Sequence, residues 1–457
     1  SWLVHDMVEF EKRGIPTVSW VASGFTHDAL RSAQNFGVPS LAVAGVPLPF
    51  TNQMPNDIKE MVDASMDQVI RGLTEPPETS LMPGEGFTTV SDPVLAFEGS
   101  DLLEAMEVMN RQFLEWKWSD GFPLVPPTPE RVERMLRGIS RAPQDVIATL
   151  EPGFGLATVE KLAVNAVMAG CRPEHLPVLV TAVQCISEPK IYLRNKAMST
   201  GPHAPLILVN GPIAKQLGIN SGVCALGPGS ISYANTVIGR ALRLVMMNVG
   251  FTYPGVSDMD TIGSPIKYSL CVAENEEQSP WDPYHVERGF HPDQSTVTVH
   301  FVYGTCELHD FQSREAEDLV HGFSSAACNL GQVPTGHWLL GRRADPRYGV
   351  DEKEEHFMIV CPEHAQVFQR QGWDKARIKE EMFKRARMSF RDLMLAREPK
   401  SFLLAHPELQ WLWDSPDTLL PVVESADCYS IAVVGAQAGR GAFFWGAGGP
   451  ITKEVER

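Results

Sequence analysis

The first 75 residues alternate between amphipathic segments and short apolar runs. Apolar residues at helical spacing open the chain before Gly14, and further helical patterns cover 27–36 and 56–72. The apolar runs at 15–22 and 40–45 have the length of buried strands. Because a parallel crossover needs about a dozen residues, helices between such strands indicate a parallel sheet with helices on both faces. The pattern predicts an α-β-α-β-α unit and a further strand before Ser1.

A segment rich in Pro, Gly, Ser and Thr follows, and we interpret residues 76–99 as a linker because this composition cannot bury a core. Helical and strand patterns resume at 100–330, which we predict to be a central α/β domain carrying the site. Residues 331–457 form a C-terminal α/β portion of the same or a third domain. The predicted fold class is α/β, with a parallel-sheet N-terminal domain and a larger mixed α/β domain.

The excess of acidic over basic residues and the lack of long apolar runs limit the classes of binding partner. The chain has 457 residues, with 39 Lys and Arg against 56 Asp and Glu, so its formal net charge is −17. Nucleic acids bind basic patches by counterion release, so a nucleic-acid partner is not expected. No apolar run reaches the roughly 18 residues of a membrane helix, and no signal peptide is visible, so no membrane partner is expected either.

Eight cysteines are scattered along the chain without a C-x-x-C pair. Zinc ribbons and disulfide-stapled secreted modules have regular cysteine spacings, so neither class is indicated. A reduced cytoplasmic compartment is the expectation.

One of these cysteines, Cys171, lies between two predicted helices, after Gly170 and before Arg172 and Pro173. Helix N-terminal N–H groups and the Arg172 cation would favour the thiolate, which is the nucleophilic and metal-binding form. The alternative is a small buried hydrophobic residue in a tight turn. We expect Cys171 to be a nucleophile or a ligand.

Three positions are candidates for substrate binding. Arg240 shares a helix face with Arg243 after a glycine-rich loop, an arrangement that could hold a carboxylate or phosphate. The alternative is a capped helix with solvated arginines. His203 precedes a predicted strand and Asn210 ends it, and α/β sites gather polar groups at such ends. For His203 the alternative is a structural role in a proline-rich turn.

Residues 274–291 hold the densest group of chemically active side chains. Glu274, His285, Glu287 and Arg288 surround a Trp-Asp-Pro-Tyr turn. Glu and His side chains can act as acid and base or can bind a metal ion, and an arginine can bind an anion. No fixed metal-binding spacing supports a specific ion, and a solvated acidic loop is the alternative.

Several segments resemble known proteins. Residues 4–18 (Val-His-Asp-Met-Val-Glu-Phe-Glu-Lys-Arg-Gly-Ile-Pro-Thr-Val) and 36–42 (Phe-Gly-Val-Pro-Ser-Leu-Ala) resemble the UGSC family, named for selenocysteine or cysteine followed by Gly-Ser-Cys. Residues 120–128, 166–174, 208–212 and 274–288 are similar to an uncharacterised protein that is often associated with that family. The resemblance implies a redox-type selenol or thiol ahead of the matching segment, outside this sequence. Within the sequence, Cys171 is the thiol that lies in a resembling segment.

These features predict a thiol- or selenol-dependent enzyme of redox or carbon–sulfur chemistry that acts on a small polar or anionic substrate. Cys171 would be the nucleophile or a ligand, His285 with Glu274 the acid–base group, and Arg288 with Arg240 the anion clamp.

Two other functions stay open. One is a metal-dependent lyase or hydrolase in which His285, Glu274 and Glu287 hold the ion, and the other is a non-catalytic ligand-binding subunit. The apolar helices at 158–186 and 235–248 suit a core or a subunit interface, and we expect a homo-oligomer or hetero-oligomer.

Overall fold

The computed structural model describes residues 2–47, 53–75, 94–329, 336–340, 344–345, 350–351, 353–397 and 406–456. The predicted linker at 76–99 lies outside these residues except for 94–99. The predicted domain boundaries therefore stay predictions.

The N-terminal unit is a two-stranded parallel sheet with helices on both faces. Its elements are α1 (Trp2–Lys12), β1 (Val18–Ala22), α2 (Thr26–Asn35), β2 (Ala42–Val46) and α3 (Pro55–Thr74). Because successive strand residues face opposite sides, Val21 packs with α1 and α2 while Trp20 faces α3. The Trp20 indole donates a hydrogen bond to Ser65 Oγ at 2.8 Å. The predicted α-β-α-β-α order is confirmed.

The remaining elements alternate helices and strands. The helices are α4 (Leu102–Glu115), α5 (Pro129–Leu136), α6 (Val159–Ala169), α7 (Leu176–Ile186), α8 (Leu193–Ala197), α9 (Pro212–Gln216), α10 (Tyr233–Asn248), α11 (Tyr284–Glu287), α12 (Ala316–Ala327), α13 (Pro362–Arg370), α14 (Lys375–Arg385) and α15 (Gln410–Asp414). The strands are β3 (Val146–Leu150), β4 (Gly155–Thr158), β5 (Ala204–Asn210), β6 (Cys271–Ala273), β7 (Thr296–His309), β8 (Ala344–Asp345), β9 (Val350–Asp351), β10 (His356–Val360), β11 (Arg387–Ser389), β12 (Leu419–Pro421), β13 (Tyr429–Val433), β14 (Arg440–Gly446) and β15 (Ile451–Glu454). Within the described segments, we find no helix with the length and apolar character that crossing a membrane requires.

The largest sheet is mixed and curled. Its strand order is β13-β10-β14-β7-β5-β6, and β15 also pairs with β7. Strands β5 and β6 are parallel, as are β10 and β13, whereas the pairs with β7 and β14 are antiparallel. The Asn275 backbone N–H, just past β6, donates to the Val433 carbonyl of β13 at 2.7 Å, so the two outer strands approach each other. The predicted combination of a parallel N-terminal sheet with a larger mixed α/β part is confirmed.

Each face of the curled sheet has its own core. Residues of β5 alternate between two cores: Ile207 and Val209 pack with α6, α7 and α10, whereas Leu206 and Leu208 pack with Tyr284 and Phe357. A third core lies under α12, α13 and α14. The sheet takes strands from both of the predicted portions, 100–330 and 331–457.

A buried ion pair joins the N-terminal unit to the rest of the chain. Arg194 Nη2 donates to both carboxylate oxygens of Asp28 at 3.1 and 3.2 Å, and the side chains are only 10% and 7% exposed. The Arg31 guanidinium also donates to the Gly153 carbonyl at 3.5 Å. A buried charge without a partner is costly, so each member of the pair depends on the other.

The end of β14 gives a test of sheet packing. A Cβ at Gly446 would lie 1.7 Å from the Glu355 carbonyl oxygen, so Gly446→Ala forces the backbone to shift. We expect the free energy of unfolding to fall by about 2 kcal/mol, measured by urea denaturation of the full chain. As a control, Gly322→Ala in helix α12 has its nearest neighbour, Leu308 Cδ2, at 3.5 Å, and we expect a gain of about 0.5–1 kcal/mol. Equal stability of the two variants would contradict this account.

Candidate functional site

The carboxyl ends of the parallel strands β5 and β6 hold a polar cluster, formed by Asn210, Glu274, Glu276 and His285. Asn210 ends β5, and Glu274 directly follows β6, so the strand pairing brings them together. The Asn210 amide donates to Glu274 Oε2 at 2.6 Å and to Glu276 Oε1 at 2.9 Å. His285 Nδ1 lies 3.9 Å from Glu276 Oε1. The structure therefore brings three of the predicted site residues, Asn210, Glu274 and His285, into one group.

Several polar atoms of this cluster are unsatisfied. Asn210 Oδ1, Glu274 Oε1 and His285 Nδ1 are buried and have no hydrogen-bond partner among the described residues. Burial raises the pKa of Glu274, although Lys375, the Tyr284 backbone N–H and the Asn210 amide oppose that rise. A carboxyl group that holds its proton more tightly than usual can act as a general acid.

Glu287 belongs to a neighbouring ion-pair network and not to the polar cluster. Its carboxylate pairs with Lys375 and with Lys379, the latter at 3.1 Å. Lys375 also lies 3.8 Å from Glu274 Oε1. In the part of the chain that the structure describes, no group of three or more His, Cys, Asp or Glu side chains is arranged to hold a metal ion. These residues do not fit a metal ion, and we derive no step through one.

Arg288 does not belong to the polar cluster, and its guanidinium lies over the ring of Tyr284. Its guanidinium donates to the Tyr284 hydroxyl at 2.9 Å and to Glu355 Oε2 at 3.0 Å. It also donates to Ser430 Oγ at 3.1 Å. Burial raises the pKa of the Tyr284 hydroxyl to about 12, so this hydroxyl stays protonated at neutral pH. The charge of Arg288 is already matched by Glu355.

The other two predicted substrate-binding side chains are also engaged. Arg240 donates from Nε to Asp120 Oδ2 at 2.7 Å and from Nη2 to Asp120 Oδ1 at 2.9 Å, which is a two-pronged ion pair. The His203 ring packs on Tyr303, with ring centres 4.5 Å apart. Burial lowers the pKa of His203 to about 4, and the nearby Lys196 charge acts in the same direction, so the ring is neutral at pH 7.

Cys171 donates a hydrogen bond, and the Arg240 charge, which favours its thiolate, is outweighed by burial. Its Sγ lies 3.3 Å from the Val237 carbonyl oxygen. Burial, reinforced by Cys271, raises the pKa of the thiol above its ordinary value. The Arg172 guanidinium lies over the Tyr233 ring at 5.3 Å from its centre, and Pro173–His175 is a single 3₁₀ turn. These contacts favour the neutral thiol.

A second cysteine, which the sequence analysis did not single out, has the opposite surroundings. Cys361 follows β10 and is the residue before helix α13, so it lies at the helix N-terminus. The Arg440 backbone N–H donates to its Sγ at 3.4 Å. One turn into the helix, His364 Nε2 lies 2.8 Å from the Asp310 carbonyl oxygen, which orients the ring. We call Cys361 and His364 the thiol–imidazole pair, and each is only 3% exposed.

The two groups of the thiol–imidazole pair shift each other's pKa. Burial alone would raise the pKa of Cys361, but the neighbouring His364 side chain and backbone lower it below its ordinary value. His364 Nδ1 itself is buried and has no hydrogen-bond partner among the described residues. Burial would lower the pKa of His364, but the neighbouring Cys361 and the hydrogen bond to the Asp310 carbonyl raise it. Both shifts favour a thiolate beside an imidazolium.

A sequence signal for this pair exists in Cys-Pro-Glu-His at 361–364. A buried apolar strand ends at the cysteine, proline stands at the first helical position, and histidine follows one turn on. The loop at 274–291 contains many charged side chains, whereas this signal consists of two side chains only.

The comparison with known proteins found a family match for the N-terminal unit. Residues 1–75 match the family model described as the UGSC family, so the predicted resemblance of this region is confirmed. No curated protein and no solved structure matches the chain.

The raised pKa of Glu274 gives a test of the polar cluster. Because burial raises the folded-state pKa above the ordinary 4.5, the folded protein binds more protons between these two values. The free energy of unfolding should therefore fall as pH rises through that window. Glu274→Gln should remove the part of this fall that comes from Glu274. Thermal unfolding at a series of pH values measures the effect.

The matched control for this test is Glu107→Gln, which removes the same charge from an exposed position on helix α4. We expect its pH profile to follow that of the unmodified protein. If Glu274→Gln also leaves the profile unchanged, the carboxyl group does not titrate as described.

Proposed function

We propose that the protein is a thiol-dependent enzyme in which Cys361 is the nucleophile and His364 the acid–base group. The reaction class is the one expected from the sequence, whereas the thiol is Cys361 and not Cys171. The observation that carries the proposal is the position of the Cys361 sulfur at a helix N-terminus, 3.4 Å from the Arg440 backbone nitrogen, with His364 one turn into the same helix. Thiolates form where such donors and a positive charge meet.

The position in the sheet supports the same site. Strands β10 and β13 are parallel neighbours, and both end at this edge. In α/β folds, ligands bind beyond the carboxyl ends of parallel strands, because helix N-termini and loops meet there. The loop after β13 contains Ala438, whose φ of 99° is unusual for a residue with a side chain. Residues held in such conformations cluster at functional sites.

The chemistry that follows is a nucleophilic displacement. The Cys361 thiolate forms a bond to an electrophilic carbon or sulfur atom of a small polar substrate, and the bond from that atom to its leaving group breaks. The leaving group takes the electron pair of that bond and the proton of the His364 imidazolium. Attack on carbon makes a carbon–sulfur bond, and attack on sulfur is thiol–disulfide exchange.

Access to Cys361 depends on the loop that follows β13. The Glu363 carboxylate accepts hydrogen bonds from the backbone N–H groups of Ala438 and Gly439 at 2.8 and 2.7 Å. A Cβ at Gly439 would lie 3.1 Å from His364 Nε2, so this backbone lies directly against the imidazole. We infer that the loop opens to admit substrate and that Glu363 holds it closed.

We extend the proposal to the compartment, the substrate and the oligomeric state of the protein. All eight cysteines are free thiols, which supports a reducing, cytoplasmic compartment. The net charge of −17 supports a small-molecule substrate in place of a nucleic acid. Assembly into a homo-oligomer or hetero-oligomer is proposed from the apolar helices alone.

Thiolate absorbance in the ultraviolet, titrated upward from acid pH, tests the thiol–imidazole pair. We expect one thiolate to form below the ordinary cysteine pKa, because His364 lowers the pKa of Cys361. Cys361→Ser should remove this component, and serine keeps a residue suited to the helix N-cap. His364→Gln should move it upward by about one pH unit or more, because the positive charge is lost.

The control for this titration is Cys171→Ser. The thiolate that forms below the ordinary cysteine pKa should remain in this variant, because burial raises the pKa of Cys171. If that low-pH thiolate is still observed in Cys361→Ser, Cys361 is not the activated thiol. An unchanged titration in His364→Gln would rule out the role of the imidazole.

Alkylation of the folded protein with iodoacetamide, followed by peptide mass spectrometry, tests the loop. Glu363→Ala removes the acceptor of the Ala438 and Gly439 N–H groups, so we expect Cys361 to be labelled faster, by about tenfold for a loss of about 1.4 kcal/mol in loop closure. Glu380→Ala, an exposed carboxylate of helix α14, is the control and should not change the rate. Equal rates in the two variants would contradict the loop's role.

A further inference from the structure

A cavity of about 510 Å³ lies between the N-terminal unit and the rest of the chain. Phe25 and Phe36 line it from the N-terminal unit, and residues of 149–154 and 186–199 line it from the other side. Its volume is in the range of small-molecule sites, which often form where two domains meet. Phe25 lies just past β1, so the cavity opens at the carboxyl edge of the parallel strands.

The wall of this cavity is mainly apolar and aromatic. Phe25, Phe36 and Phe154 contribute phenyl rings, and Tyr192 contributes a fourth aromatic ring. The Phe36 and Phe154 rings meet edge to face, with centres 6.1 Å apart. Two of these residues, Phe154 and Tyr192, have φ values of 58° and 50°, which side chains other than glycine rarely adopt. Such backbone strain is typical of ligand-binding sites.

The charges at the wall are matched except for one carboxylate. Arg194 is neutralised by Asp28, and its guanidinium lies 5.8 and 5.6 Å from the centres of Phe36 and Phe154. Glu188 pairs with Lys453. Glu151 accepts a hydrogen bond from the Arg194 backbone N–H at 3.2 Å and has no cationic partner among the described residues. The cavity therefore carries one unmatched negative charge.

We propose that this cavity binds a small organic cation, with its ammonium group at Glu151 and its apolar body among the four aromatic rings. A carboxylate beside aromatic faces is a common arrangement for binding an ammonium group, because both attract positive charge. The net charge of −17 also attracts cations to the protein. Cys361 and His364 are not among the lining residues, so this site stands independently of the proposed thiol chemistry.

Calorimetric titration of the full chain with 2-phenylethylamine tests the proposal. The neutral 2-phenylethanol and the anionic 3-phenylpropionate are matched controls of similar shape. We expect saturable binding of the amine at least about tenfold tighter than binding of the alcohol, because only the amine pairs with Glu151. Glu151→Gln should reduce amine affinity by about tenfold and leave alcohol affinity unchanged.

Two further variants keep the test decisive. Glu188→Gln removes a wall carboxylate that Lys453 already neutralises, so it should change amine affinity little. Met198 lines the same wall, so Met198→Trp places a larger side chain in the cavity and should abolish binding of amine and alcohol alike. This variant keeps the proposal testable even if Glu151→Gln does not fold. Failure of the amine to saturate, equal binding of the three probes, or preference for the anion would overturn the proposal.

Discussion

The structure depends on one long strand. β7 pairs with β5 and β15 along its first half and with β14 along its second half. Strand β6 attaches through β5, and β10 and then β13 attach in series through β14. The β7 side chains Val297, Val299 and Phe301 pack in the core with α6, α7 and α10, whereas Cys306 and Leu308 border the core with α12, α13 and α14. Both candidate regions lie at strand ends of this sheet, so β7 fixes their positions.

Buried arginines are paired with carboxylates throughout the described residues. Arg240 binds Asp120, Arg243 binds Asp258 at 2.8 Å, and Arg194 binds Asp28. A guanidinium taken out of water needs a matching anion, and a residue of the same chain supplies it more cheaply than a ligand, because no association entropy is lost. The pairs Arg240–Asp120 and Arg194–Asp28 therefore tie together segments that are distant in the sequence, and removal of either partner would leave a buried charge. The charges left over, such as the carboxylate of Glu151, are better indications of ligand binding.

The sequence predicted the features that depend on neighbouring residues. Periodicity predicted the α-β-α-β-α order of the N-terminal unit, and the convergence of Asn210 and Glu274 follows from two buried runs ending in polar residues. Contacts between distant residues could not be predicted this way: Asp120 and Arg240 are 120 positions apart. Strands β14 and β15 also had no counterpart in the prediction, because glycine and polar residues interrupt their apolar pattern. The surroundings of Cys361 could not be predicted without both β14, which supplies the Arg440 N–H, and helix α13, which supplies His364.

The cavity between the two units has a thermodynamic consequence. Its walls come from Phe25 and Phe36 on one side and from the segment around Arg194 on the other, so its full shape exists only while the two units are docked. A molecule that occupies it binds the docked arrangement and not the separated one, and its binding free energy adds to that of the Asp28 and Arg194 ion pair. By reciprocity, anything that strengthens docking raises affinity for the occupant to the same degree. The boundary between the two units is thus a place where the concentration of a small molecule can set how tightly one part of the chain holds the other.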